Sequence, residues 1–343
     1  MVKKIDIEEF LSRSKEIPVI DVRSPAEFQQ GHIPGAFNLP LFDNEERKIV
    51  GTIYKNSGRD AAVLKGLELA GPKMAGFVKK LHLLAPQREI MTHCWRGGMR
   101  SEHMAWLFDQ AGFITAVLEG GYKSYRRHIR AALADNANII ILGGLTGTGK
   151  TEILHQLKKT GEQILDLEML SNHKGSVFGA FGKTPQPTNE QFENNIYHHW
   201  QSFDRKKRIW IEDESRAIGS VNIPDPLFEQ MSRAKMIIIE ISNDERTEQL
   251  VAEYGGYDNE MIREAVFKIS EKLGGVRTKE TLTALEDNDL KRVADLLLTY
   301  YDKAYMHSLA RRMNQDIVRI PLGQNDSERN AGFILKFINE LTE

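Results

Sequence analysis

Short apolar runs alternate with longer amphipathic segments in the first third of the chain. The runs at 17–24, 89–94 and 115–121 are bounded by turn-forming residues and predict buried strands. Between the last two, apolar residues recur at helical spacing over 101–112, and Gly112 provides a stop signal. Strands separated by helices predict a parallel sheet with crossover connections, and the reactive loops of such sheets gather at the carboxyl ends of the strands.

The same alternation resumes after a break in composition at 131–138. Four further strands are predicted at 139–142, 162–168, 208–215 and 234–241. From about Tyr257 the pattern becomes mostly helical, apart from a strand candidate at 316–322. We therefore predict two α/β domains, residues 1–134 and residues 135–343, of which the second ends in a helical region.

Composition limits the class of protein and its compartment. The 343 residues are 41% hydrophobic, and the mean hydropathy of -0.41 is typical of globular domains. The first residues lack the apolar segment of a signal peptide, and no apolar run approaches the roughly 20 residues of a membrane span. Because the chain has a single cysteine and thus no intrachain disulfide, we expect a cytoplasmic protein with no membrane partner.

A phosphate-binding motif follows the strand predicted at 139–142. The stretch GLTGTGKT, residues 144–151, fits G-x-x-x-x-G-K-[ST] between a strand and a helix. Its glycines let backbone N–H groups point at a phosphate, while Lys150 adds a positive charge and Thr151 can ligate Mg²⁺. The predicted diphosphate-binding residues of this loop are Gly144, Thr146, Gly147, Thr148, Gly149, Lys150 and Thr151. The motif predicts diphosphate binding and does not by itself imply ATP hydrolysis.

A carboxylate is expected to complete this site from the end of a neighbouring strand. Glu212, Asp213 and Glu214 directly follow an apolar run, and Asp166 ends the preceding strand. We select Asp213 as the diphosphate-site residue of this group, with Mg²⁺ as a candidate cofactor. The histidines lack a metal-ligand spacing, so no resident metal site is predicted.

The only cysteine lies in a loop with two arginines and two glycines. The stretch HCWRGGMR, residues 93–100, fits H-C-x-x-G-x-x-R, a pattern typical of cysteine-dependent phosphatases. Loop amides, the following helix N-terminus and the arginines should stabilise a Cys94 thiolate. The predicted catalytic residues are Cys94, Arg96 and Arg100, and the predicted anion-binding residues are Trp95, Gly97, Gly98 and Met99. The loop leaves three interpretations open: a phosphatase nucleophile, a carrier of sulfur or selenium, and a structural cysteine.

Two stretches on either side of this loop resemble the signatures of rhodanese domains. VIDVRSPAEFQQGHIPGAFNLP, residues 19–40, is similar to the N-terminal signature, and LEGGYKSYR, residues 118–126, to the C-terminal one. The resemblance that these two signatures bracket covers about the first 130 residues. Simple rhodaneses have a loop one residue shorter, and the longer loop suits a larger, phosphate-like anion.

A rhodanese domain followed by a P-loop resembles the tRNA 2-selenouridine synthases, and the resemblance extends over nearly the whole chain. Supporting stretches lie at 50–58, 167–179, 186–194, 209–219 and 297–305. The resemblance implies replacement of sulfur by selenium in wobble 2-thiouridine of tRNA, with selenophosphate as donor and an S-geranyl intermediate made from geranyl diphosphate. It also implies that the Cys94 loop holds the selenium donor, which makes a selenophosphate-supplying enzyme a candidate partner.

Basic and aromatic residues suggest where tRNA would lie. The predicted tRNA-binding residues share one side of a helix and are Lys123, Arg126, Arg127 and Arg130. Three tyrosines, Tyr300, Tyr301 and Tyr305, are candidates for stacking on anticodon bases.

Two functions from other classes are compatible with parts of the pattern. A cysteine phosphatase fused to a nucleotide-binding domain would also need a general-acid carboxylate, which the sequence does not identify. A nucleotide-controlled binding module would use the rhodanese fold only to recognise a partner, and its Cys94 would be dispensable.

Overall fold

The computed structural model describes residues 2–310, residue 312 and residues 316–342. The chain forms two compact units. The first consists of Met1–Ala132 with Glu193–His198, and the second of Leu133–Phe192 with His199–Glu343. The division after Ala132 falls in the segment where the composition changes, near the boundary expected at 134.

The first unit is built around a five-stranded parallel sheet. Its strands are β1 Lys3–Ile5, β2 Val19–Asp21, β3 Phe37–Asn38, β4 Glu89–His93 and β5 Ile114–Leu118, in the order β1-β5-β4-β2-β3. Its helices are α1 Ile7–Arg13, α2 Pro25–Gln30, α3 Asn44–Ala70, α4 Met74–Leu84, α5 Met99–Gln110 and α6 Gly121–Ala132, with a 3-10 turn at Gly71–Lys73. The sheet contacts α4 and α5 through a core that includes Ile20, Phe77, Ile90 and Phe108.

Local sequence explains where two helices of this unit begin and bend. Helix α2 starts with a capping box, in which the Ser24 hydroxyl and the Glu27 carboxylate each accept a hydrogen bond from the other residue's backbone N–H. Helix α3 is broken at Gly58, whose φ of +85° lies in a region that favours glycine. The break divides α3 into two helical segments.

The second unit contains another five-stranded parallel sheet. Its strands are β6 Ile139–Gly144, β7 Gln163–Leu165, β8 Ile209–Glu212, β11 Lys235–Glu240 and β12 Ile317–Pro321, in the order β12-β11-β6-β8-β7, and a separate antiparallel pair is formed by β9 Ala217–Ile218 and β10 Val221–Asn222. Its helices are α7 Lys150–Lys159, α8 Leu167–Ser171, α9 Asn189–Trp200, α10 Asp225–Arg233, α11 Asn243–Tyr254, α12 Asn259–Lys268, α13 Ser270–Leu273, α14 Gly275–Glu286, α15 Leu290–Ala310 and α16 Ser327–Thr342. Residues 193–198 of α9 cluster with the first unit.

Two hydrophobic cores hold the second unit. One packs sheet residues such as Trp210 and Ile237 against α7 and α16, and the other lies among the helices after Tyr257 and includes Ile262, Val266 and Leu297. The predicted α/β class, the parallel sheets and the helical C-terminal region are confirmed. Strands β1, β3, β9 and β10 are not predicted by the sequence pattern, because each has only two or three residues and is too short to show an apolar pattern. Among the described helices, none combines the length and apolar character of a membrane span.

Candidate functional site

Cys94 directly follows strand β4 at the carboxyl edge of the first sheet. Its side chain is nearly buried, with the residue 4% exposed. The Ser101 hydroxyl lies 3.3 Å from Cys94 Sγ and 3.0 Å from the Gly98 carbonyl oxygen. Helix α5 begins at Met99 with Gly98 as its N-cap, so its free N–H groups and partial positive charge lie beside the cysteine.

The start of helix α6 holds this loop in place. The backbone N–H groups of Tyr122 and Lys123 donate to the carbonyl oxygens of Cys94 and Trp95, both at 2.9 Å. Gly97 and Gly121 have φ values of +63° and +59°, and a Cβ atom on Gly121 would lie 2.3 Å from the Gly97 nitrogen. The two backbones therefore touch where no side chain fits, which explains Gly121 in the C-terminal rhodanese signature and Gly97 in the Cys94 loop.

Arg100 is fixed by an ion pair that the sequence analysis did not predict. Its two terminal nitrogens lie 2.7 and 3.1 Å from the carboxylate oxygens of Glu27. Burial alone would raise the pKa of Glu27, but the hydrogen bonds and charge of Arg100 outweigh it and lower the pKa to about 2. Glu27 is therefore ionised at neutral pH and orients the guanidinium beside the loop.

A buried polar group lies beneath the loop. Asp21 and Arg23 are both fully buried and pair at 2.6 Å, and the Arg23 guanidinium lies 3.9 Å from the ring centre of Tyr122. Burial lowers the pKa of the His93 imidazole despite the nearby Asp21 charge, so this ring is neutral at pH 7. These residues of the rhodanese signature thus support the loop from inside the unit.

A large apolar cavity of about 780 Å³ opens beside Cys94. Helices α3, α4 and α5 supply its apolar walls, which include Val50, Tyr54, Val63, Leu67, Met74, Phe77, Trp106 and Leu107. Four arginines also line it: Arg47, Arg59, Arg96 and Arg100. Several wall residues are exposed large hydrophobics, among them Tyr54, Leu67 and Trp106. An apolar surface of this kind marks a ligand or partner site. No local sequence pattern predicts it, because its walls come from three separate helices.

The phosphate loop occupies the predicted place between β6 and α7. Thr151 Oγ1 lies 2.9 Å from Glu212 Oε2 and 3.4 Å from Glu168 Oε2. Lys150 Nζ lies 3.5 Å from Glu212 Oε1. The loop therefore brings a lysine, a hydroxyl and the buried Glu212 carboxylate together at the N-terminus of a helix, where an anion or a hydrated cation can bind.

Glu212, the residue before the predicted Asp213, is the carboxylate that contacts the phosphate loop, through both Lys150 and Thr151. Asp213 lines the cavity around this loop, and its carboxylate pairs with Arg312 at 2.6 Å. A role of Asp213 in diphosphate binding stays a prediction. Asp166 caps helix α8.

Three carboxylates converge beside Thr151. Ligand atoms of Glu168, Glu212 and Glu214 all lie within 4.8 Å of one another and could hold a divalent cation. Burial first, and the Glu212 charge second, raise the pKa of Glu168 to about 8. Glu168 lies in the first turn of helix α8, so the available sequence signal was an acidic residue shortly after strand β7.

The cavity around the phosphate loop has a volume of about 350 Å³ and an apolar wall. Side chains from three parts of the second unit form this wall: Phe178, Ile262, Leu290, Val293, Ala294 and Leu297. Tyr301 and Tyr305 also line the cavity, and the Tyr305 hydroxyl accepts a hydrogen bond from the Gly144 N–H at 3.1 Å. Tyr300 packs against the helical core. Stacking on an RNA base therefore stays a prediction for Tyr301 and Tyr305, which line the cavity.

One of the four predicted tRNA-binding residues needs correction. Arg126 is 8% exposed; its guanidinium donates to Asn194 Oδ1 at 2.6 Å and pairs with Glu193. Its side chain therefore stabilises the interior of the first unit and does not face tRNA phosphates. Lys123, Arg127 and Arg130 are exposed on helix α6, and they stay candidates for phosphate contacts.

Without a divalent metal, inorganic diphosphate is expected to bind more weakly as the pH rises from 7 to 9. The pKa of Glu168 is about 8, so the side chain is neutral below that pH and gains a negative charge above it, close to Thr151. The added repulsion should weaken binding by about tenfold. Calorimetry of diphosphate binding to wild type and Glu168→Gln at several pH values checks this. The variant lacks the ionisable Glu168 carboxyl group, whereas protonation of diphosphate itself affects both proteins equally. Equal pH slopes would refute it.

Comparisons with known proteins agree with the two-unit architecture. A family model described as the tRNA 2-selenouridine synthase AAA domain matches residues 137–324, and the rhodanese-like domain matches residues 6–128. A tRNA 2-selenouridine synthase of Bdellovibrio bacteriovorus is 33% identical, covering 87% of this chain and 90% of its own. That of Hydrogenovibrio crunogenus is 35% identical with 87% and 91% covered, and that of Marinobacter nauticus is 32% identical with 93% and 96% covered.

Proposed function

This chain belongs to the tRNA 2-selenouridine synthase family of tRNA-modifying enzymes, and we propose that it works in two steps on two sites. The phosphate-loop cavity would attach a geranyl group to the sulfur of wobble 2-thiouridine in tRNA. The Cys94 loop would then replace the alkylated sulfur by selenium from selenophosphate. Both steps transfer a group to tRNA, which makes the proposed activity that of a transferase.

The observation that carries the first step is the composition of the phosphate-loop cavity. Its lining combines Lys150, Thr151 and the N-terminus of α7 with apolar side chains such as Val293 and Leu297. A diphosphate with an apolar tail matches both groups of residues. In this step the uridine sulfur attacks C1 of the geranyl group, the C–O bond breaks, and diphosphate leaves with the electron pair.

The second step is supported by the cavity beside Cys94. Its arginines suit the selenium donor and the tRNA phosphates, and its apolar walls suit the geranyl chain carried on the sulfur. Selenium attacks C2 of the base, the C–S bond breaks, and geranylthiolate leaves and takes up a proton. Alkylation helps because a thiolate leaves more easily than a doubly charged sulfide.

Thermal unfolding with different ligands tests the first site. We expect geranyl diphosphate, present at 100 times its Kd, to stabilise the protein by about 2.7 kcal/mol relative to the ligand-free protein. Inorganic diphosphate at the same concentration should stabilise it less. ATP should give no more than inorganic diphosphate. Leu297→Asn should remove the advantage of geranyl diphosphate while inorganic diphosphate still binds, which shows that the variant folds. Stronger stabilisation by ATP than by geranyl diphosphate would contradict the proposal.

A further inference from the structure

We propose that Cys94 attacks the phosphorus atom of selenophosphate, so that the loop becomes phosphorylated on sulfur and releases hydroselenide beside the tRNA base. This inference rests on the proposed function for its donor. The rhodanese-like unit would then carry out the phosphoryl transfer that its H-C-x-x-G-x-x-R loop pattern predicts. Cys94 would act as a phosphatase-like nucleophile and would also serve the delivery of selenium, two interpretations that the sequence left as alternatives.

The contacts around the thiol suit phosphoryl transfer. Cys94 stands at the N-terminus of α5, where backbone N–H groups and Arg100 can hold three phosphoryl oxygens. The Ser101 hydroxyl lies 3.3 Å from Cys94 Sγ and can donate to the thiolate. A hydroxyl in that place stabilises the sulfur twice: as the attacking thiolate, and as the leaving thiolate when the phosphoryl group is hydrolysed.

Electron balance favours phosphorus over selenium as the atom attacked. Selenium in selenophosphate already carries the electron pairs of a selenide. Attack of a thiolate on that selenium would form an S–Se bond only if phosphorus left in a reduced state, as phosphite, or if an external oxidant took part. Attack on phosphorus changes no oxidation state.

The steps then balance without a further reagent except water. The Cys94 S–P bond forms, the P–Se bond breaks, and selenium, which already carries a proton in the hydrogen selenophosphate ion, leaves with the electron pair as hydroselenide. Hydroselenide attacks C2 of the S-geranyl nucleoside and expels geranylthiolate. Water then attacks the phosphorus of the phosphorylated cysteine, which releases phosphate and restores the Cys94 thiolate.

Glu27, the carboxylate near the loop, is ionised and cannot act as a general acid, which is consistent with a leaving group that needs no protonation. Phosphatases protonate the alkoxide that they expel, but Glu27 is paired with Arg100 and its pKa of about 2 keeps it ionised. Hydroselenide is a weak base and leaves unprotonated, whereas an alkyl alkoxide does not. The loop should therefore cleave selenophosphate and leave alkyl phosphates intact.

The test uses selenophosphate labelled either with radioactive phosphorus or with radioactive selenium, under anaerobic conditions with the full-length protein. After quenching in neutral detergent, wild type should retain the phosphorus label and not the selenium label. Cys94→Ala should retain neither. Ser101→Ala should hydrolyse the phosphoryl group at least about tenfold more slowly and so retain more phosphorus label; Ser12→Ala, on an exposed position of α1, should match wild type.

The outcomes separate this proposal from the proposed function. Selenium label on the protein without phosphorus label would overturn the phosphoryl step, and so would formation of selenouridine with no trapped phosphorus in wild type or Ser101→Ala. In both cases the tRNA reaction would stand. If wild type formed no selenouridine from geranylated tRNA, the proposed function itself would fail, whatever label the protein carried.

Discussion

Cys94→Ala is expected to stop the reaction at the S-geranyl nucleoside. Removing the nucleophile should slow selenouridine formation on the order of 10³-fold or more. Geranylation should continue, because Lys150, Thr151 and Glu212 all belong to the second unit. Mass spectrometry of nucleosides from 2-thiouridine tRNA, incubated with geranyl diphosphate and selenophosphate, measures both products in one sample.

A change in folding would need to be separated from this effect. Cys94 belongs to the hydrophobic core of the first unit, and its replacement by alanine should cost about 1 kcal/mol of unfolding free energy. Thermal unfolding of the variant checks that loss. Selenouridine formation at the wild-type rate would show that Cys94 is a structural cysteine and that the second site has been assigned wrongly.

Lys150→Ala is expected to leave 2-thiouridine unmodified. The lysine provides the positive charge of the phosphate loop, and its loss should weaken diphosphate binding by about 2 kcal/mol and slow departure of diphosphate by a further factor of about 10². Geranylation should therefore fall by about 10³-fold or more in combination. The nucleoside assay with unmodified 2-thiouridine tRNA measures it.

Two controls make this result specific. Lys159→Ala changes an exposed lysine at the other end of helix α7 and should behave as wild type. Chemically geranylated tRNA should restore selenouridine formation to Lys150→Ala, because the second step does not use the phosphate loop. If the Lys150→Ala protein still geranylated tRNA, the phosphate loop would have no role in the first step.

Local chemistry explains why both loops could be predicted from sequence. The phosphate loop and the Cys94 loop each place their main groups within eight or nine consecutive residues, and each follows an apolar strand that ends at the carboxyl edge of a parallel sheet. A short chain segment with glycines and a following helix positions its own amides and charges. Such sites need little help from distant residues to reach the right arrangement.

Contacts between distant segments decided partners that the sequence pattern does not specify. Glu212 ends β8 and Asp213 follows it, and which of the two carboxylates contacts Thr151 depends on how α7 packs against that end of the strand. Arg126 shares a helix side with Lys123 in sequence, yet it pairs with Glu193, far along the chain. Periodicity identifies a face of a helix or strand but not what lies opposite that face.

The sequence by itself determined the two α/β domains, the order of their loops and the candidates for the reacting residues, because strand and helix periods and both motifs are short-range properties. Only the tertiary structure decided which carboxylates reach the phosphate loop, that Glu27 holds Arg100, and that Ser101 lies against Cys94. It also decided where the two apolar cavities form. Their walls combine side chains from separate helices, such as Val63 with Trp106 and Ile262 with Leu297, and no local pattern specifies that these helices leave a space between them.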